Sequence, residues 1–153
     1  MRLTWNSRLA VLVLAVAFVL GGVSFAAAQE AAKPTLTFSN DAGLIIFYVK
    51  PDKTADFEQL MAKLKEGLGK LDAPEAKQQL TSLKLFKNKV ADGATVAIYV
   101  LLADPAVKNT EYWLLSILYK TFPAEGKALY DKWTDVKAAT PAQPTIFDLT
   151  LLK

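Results

Sequence analysis

Four side chains with chemistry to offer stand inside strand-like stretches: Tyr48 in GLIIFYVK (43–50), Lys84 in SLKLFKNKV (82–90), Tyr99 in ATVAIYVLL (94–102) and Asp148 in TIFDLTLL (145–152). With Ile46 and Phe86 beside them, they would give aromatic walls and a few polar handles, which is what a cavity for a small apolar ligand requires. The same six residues also suit the apolar centre and polar rim of a protein interface, where aromatic side chains are enriched. An acid–base pair of Lys84 and Asp148 would need the two groups within hydrogen-bond reach of a common substrate. The rest of the sequence narrows the chemistry sharply. With no cysteine and no histidine, the chain has no disulfide, thiolate nucleophile, Ser-His-Asp triad, His-ligated haem or ordinary structural zinc site. No catalytic residue, cofactor or metal is assigned.

Other clusters have plainer explanations. Asp52, Asp56 and Glu58 surround Thr54, which reads as a helix N-cap, with Asp56 and Glu58 favourably placed at the positive end of the helix dipole. Tyr112, Trp113 and Tyr119 recur at helical spacing, as packing aromatics do. Lys63, Lys65 and Lys70 are diluted by Glu58 and Glu66, as on a solvated helix face.

The N-terminus supplies an address. Arg2 and Arg8 precede an uncharged apolar run from Leu9, and Ala26-Ala27-Ala28 follows Gly21-Gly22. This pattern is that of a signal peptide over residues 1–28, with export to the periplasm or the extracellular space; an uncleaved anchor is the alternative. Of 18 basic residues only Arg2 and Arg8 are arginines, so beyond the leader 16 lysines face 15 acidic residues. A nearly neutral chain without guanidinium forks is poorly equipped for nucleic acid. After cleavage no stable membrane insertion is expected.

A flexible lead-in spans residues 29–42, in which Leu36 and Phe38 suggest a short edge strand, and the domain occupies 43–153. GLIIFYVK is the first strand, ended by Pro51. Phe57, Leu60, Met61, Leu64, Leu68 and Leu71 step by three and four, predicting one helix with one buried stripe that stops near Gly67 and Gly69. Asp72-Ala73-Pro74-Glu75 starts a short second helix. Two strands around Ala91-Asp92-Gly93 form a hairpin. Glu111–Phe122 reads as a helix apolar around most of its circumference. Pro123 separates it from a segment with Leu129, Trp133 and Val136 on one stripe, and TIFDLTLL is the last strand.

Strand, helix, strand, strand, helix, strand predicts an α+β domain of the ferredoxin-like, split βαβ type: a four-stranded antiparallel sheet with helices on one face and strands one and three central. Period-two alternation assigns Ile45, Phe47, Val49, Leu83, Leu85, Val96, Ile98, Val100, Phe147, Leu149 and Leu151 to the helices. The opposite face then carries Ile46, Tyr48, Lys84, Phe86, Asn88, Thr95, Ala97, Tyr99, Ile146, Asp148 and Thr150. Its centre is too apolar for open water, since each uncovered large side chain forfeits about 1.5–3 kcal/mol. Lys84 and Asp148 fall on opposite edges, three spacings of about 4.8 Å apart, so only a dimer would unite them.

In strand order, and in FYVKPDKTADFEQLMAKLKEGL, SLKLFKN, LLADPAV and FPAEGKALYDKW, the chain resembles the dimeric α+β-barrel superfamily, of the antibiotic-biosynthesis-monooxygenase-like or stress-responsive type, including small secreted bacterial proteins. That resemblance implies a homodimer with two sheets face to face. Its oxygenases use Asn, Trp and His or Arg, and the chain matches none of these at the corresponding places. The expected function is therefore an exported homodimeric binding domain for a small apolar ligand or a protein partner. A cofactor-free oxygenase or isomerase acting on an aromatic substrate, and a structural protein of the envelope, are the alternatives.

Overall fold

A computed structural model of the chain describes residues 35–88 and 93–152. The expected signal peptide, the stretch 29–34, and Ala91 and Asp92 of the expected hairpin turn lie outside these residues.

β1 (Ala42–Val49) leads through a 3-10 turn at Pro51–Lys53 into α1 (Thr54–Lys70). α2 (Pro74–Ser82) is followed by β2 (Leu83–Lys87) and β3 (Ala97–Ala103), then α3 (Leu114–Thr121), a second 3-10 turn at Pro123–Glu125, α4 (Gly126–Val136) and β4 (Thr145–Leu149). The strands form one antiparallel sheet in the order β2-β3-β1-β4. This is the expected α+β architecture, a ferredoxin-like sheet with β1 and β3 at its centre.

The core lies between the sheet and the helices. α1 buries Phe57, Leu60, Met61, Leu64 and Leu68, while α4 buries Leu129, Trp133 and Val136, as their three- and four-residue spacing predicts. α1 continues past Gly67 to Lys70 because Gly67 serves packing: a Cβ there would stand 2.6 Å from Thr121 Oγ1. The helix lets α3 come close instead of ending.

Several local expectations are corrected. Thr54 opens α1 from inside, and no side chain caps that end; the preceding 3-10 turn delivers the chain in helical geometry instead. Asp56 lies in the first turn as expected and also pairs with Lys132 at 3.2 Å, whereas Glu58 binds Lys87 and Tyr99. The helix expected from Glu111 begins at Leu114. Glu111 is drawn away by the lead-in, accepting hydrogen bonds from the Thr35, Leu36 and Trp113 amides at 2.6, 3.0 and 2.7 Å.

That lead-in is packed where described, and Leu36 and Phe38 form no strand. Phe38 is 1% exposed and its ring centroid lies 4.7 Å from that of Tyr112. Its ring occupies the place a side chain on Gly43 would take, with ring carbons 2.1 Å from an ideal Cβ. Gly43→Ala is accordingly expected to displace Phe38 and lower stability by about 1–3 kcal/mol, the range for forcing an extra methyl into a filled core. A urea midpoint unchanged from wild type would show that the ring has room to move.

Candidate functional site

The pairing register fixes which side chains share a face, because residues directly opposite on adjacent strands point the same way. On the helix side, Gly43 pairs with Ala103, Ile45 with Leu101, Phe47 with Tyr99 and Val49 with Ala97; Leu83, Leu85 and Lys87 extend the first three rows onto β2, and Asp148 and Ile146 extend the first two onto β4. The opposite face consists of Ala42, Leu44, Ile46 and Tyr48; Ile98, Val100 and Leu102; Lys84 and Phe86; and Thr145, Phe147 and Leu149. None of this second set is buried, and Phe86, Phe147 and Leu149 are 52%, 44% and 38% exposed.

Ile46, Tyr48, Lys84 and Phe86 therefore share the open face, as the sequence predicts. Tyr99 and Asp148 do not. β3 is apolar at both parities, so alternation had no way to choose, and packing decided the matter. Tyr99 is 1% exposed, with its ring 4.7 Å from Phe57. Small Ala97 and Ala103 share its side and Ile98 and Val100 turn outward. On β4, Asp148 turns to the helix side at the sheet's end, where its two carboxylate oxygens accept the Ser39 and Asn40 amides, each at 3.0 Å. Phe147 and Leu149 are thereby carried outward.

These two reversals make the open face more apolar than expected. They remove a carboxylate and a phenol and add Ile98, Val100, Phe147 and Leu149, while Leu44 and Leu102 complete it. Among the described residues Lys84 is its one charged side chain, on the β2 edge. Near the β4 edge the Tyr48 and Thr145 hydroxyls hydrogen-bond to each other at 2.9 Å, so part of the little polarity present is already satisfied. A mixed-charge acid–base site does not form here within one chain, because Lys84 and Asp148 lie on opposite faces as well as opposite edges.

Tyr99 instead belongs to a rim cluster. Its hydroxyl donates to Glu58 Oε1 at 2.6 Å, and Lys87 Nζ donates to the same oxygen at 2.9 Å, 5.5 Å from the Tyr99 ring centroid. Burial and then the Glu58 hydrogen bond push the Tyr99 hydroxyl above its ordinary value, so it stays protonated and acts as a donor. The Tyr99 hydroxyl and Lys87 hold Glu58 below 4.5, and Glu58 raises Lys87 in return. The arrangement ties α1 to β2.

A carboxylate with a lowered folded pKa contributes stability above its unfolded value and loses it as pH falls through the folded one. Thermal unfolding between neutral pH and strong acid should therefore show stability declining from about pH 4.5 downward, and Glu58→Gln should flatten that decline without abolishing it, since Glu66 and Asp135 are also lowered, each by a lysine partner. Identical acid profiles for the two proteins would show that the cluster adds nothing.

Two surface depressions lie elsewhere. One of about 500 Å³ is bordered by Tyr119, Pro123, Gly126, Lys127 and Tyr130, and one of about 420 Å³ lies between Gln78 and the loop from Asp104 to Lys108. Both are open to solvent. No group of three or more acidic side chains with metal-binding geometry occurs among the described residues, and no helix among them is long and apolar enough to cross a membrane. The chain matches no family model, no curated protein and no solved structure.

Proposed function

We propose that the protein is an exported binding domain that works as a homodimer, two copies closing their open sheet faces on each other. One observation carries this reading: the face opposite the helices is open and largely apolar, with Lys84, Tyr48 and Thr145 as its few polar side chains. Four strands about 4.8 Å apart, with some six residues each rising about 3.3 Å, give a face of roughly 400 Å² in projection. A patch of that order matches the largest apolar patch of a typical protein, which is often functional. A second copy suits it because the face is almost free of charge, so like charges do not confront each other at its centre. Sheet-on-sheet packing at about 10 Å is also the ordinary way for two such surfaces to be buried. The leader supports the exported address, and the strand order agrees with the superfamily that the sequence resembles. Where the two faces do not fill the intervening space, an apolar small molecule would be held between them, with Tyr48 and Thr145 as polar handles.

Light scattering behind size exclusion, on protein exported by its leader, should give twice the mass of one chain at micromolar concentration, with intact mass placing the N-terminus at Gln29. A stable monomer would overturn the reading. Native mass spectrometry on the same material would weigh any molecule kept between the copies.

A further inference from the structure

The arrangement of the open face sets how a second copy would sit, an inference that rests on the homodimer proposed above. Two rows cross all four strands: Lys84–Leu102–Leu44–Phe147 and Phe86–Val100–Ile46–Thr145. Facing sheets related by a two-fold axis can meet in two simple ways. An axis running across the strands lays β2 on β2, which brings the sole cations of the face, the two Lys84 side chains, toward each other along one edge of a water-excluding interface. An axis running along the strands between β1 and β3 lays β2 on the partner's β4, and each row then meets itself reversed.

We propose the second arrangement, with Lys84 of each copy seated over the Phe147 ring of the other. Four observations on the face agree with it. Lys84 and Phe147 end the same row, so the ammonium group of one copy reaches an aromatic face, a favourable cation–π partner in a dry site. Phe147 is 44% exposed, which leaves its ring available. The central residues match in kind, Leu102 over Leu44 and Val100 over Ile46. The two lysines stand about 17 Å apart, from three strand spacings and the gap of about 10 Å between sheets, so each is screened from the other and neither is left without a partner. The interface is then completed at each edge by a residue from the other copy.

The absence of cysteine from the chain permits a clean test by cross-linking. In a Phe86→Cys/Thr145→Cys variant, which keeps Lys84 and Phe147, a short bifunctional maleimide that spans the roughly 10 Å gap between sheets should join two chains on a denaturing gel. Neither single variant should do so. A Lys84→Cys/Phe147→Cys variant should repeat the pattern if the first pair disturbs folding, with circular dichroism confirming the fold in each case. Efficient joining by Phe86→Cys or Lys84→Cys alone would overturn the orientation in favour of β2 on β2. No joining in either double variant, with light scattering still reporting a dimer, would also overturn it. A monomer in solution would instead remove the homodimer on which the orientation rests.

Discussion

Val100→Asp is expected to convert the proposed dimer into monomers, raising the dissociation constant at least a hundredfold. Val100 stands in the middle of the open face, between Phe86 and Ile46 in its row. Association of the variant would bury two carboxylates, one from each copy, against leucine, isoleucine and valine. An unpaired buried charge costs several kcal/mol, whereas a factor of one hundred requires only about 2.7 kcal/mol. Within one protomer the position is solvated, so the helical core should be retained and circular dichroism should stay native. The fitting control is Lys127→Glu on α4, whose side chain is 87% exposed and which lies away from the sheet face; its mass in solution should not change. Sedimentation showing Val100→Asp still dimeric at micromolar concentration would remove this face from the interface.

The second large effect belongs to the core. Phe57 is 0% exposed, and its ring lies 5.2 Å from Phe47, 4.7 Å from Tyr99 and 6.5 Å from Trp133. It is where α1, α4 and the two central strands meet. Phe57→Ala should lower the unfolding free energy by about 3–5 kcal/mol, the usual range for emptying an aromatic site, out of the 5–15 kcal/mol that a domain of this size typically has. Urea unfolding should show a much lower midpoint, and heating should unfold the variant well below wild type. A loss under about 1 kcal/mol would mean that the neighbouring rings collapse into the space.

The sequence showed most where one physical signal acted alone. The stripe Phe57, Leu60, Met61, Leu64 and Leu68 admits one helical orientation, and Ile45, Phe47 and Val49 face the helices as alternation requires. β3 is different, because Ala97, Tyr99 and Leu101 are about as apolar as Ile98 and Val100. Its orientation follows from shape: a small residue where the layers approach, and a tyrosine whose hydroxyl reaches Glu58 at the rim. A buried phenol needs a partner, and Glu58 on the adjacent helix was the available signal. For β4 the deciding partners were the Ser39 and Asn40 amides, which no side-chain pattern reveals. Glu111 was likewise taken from the expected helix by distant backbone donors. The open face was legible in kind from Ile46, Tyr48, Lys84 and Phe86, while its full apolar extent depended on these two strand orientations.

The fastening of the lead-in has a consequence for how the chain is made. Asp148 holds the amides of Ser39 and Asn40, Glu111 holds those of Thr35 and Leu36, and β1 needs β4 along one of its edges. Ser39 and Asn40 thus acquire their partner from the last strand, more than 100 positions later. A ribosome-bound or half-translocated chain lacks those partners, so the sheet cannot close until the C-terminus has emerged. Such late closure would suit the export proposed above, which needs a polypeptide that stays threadable.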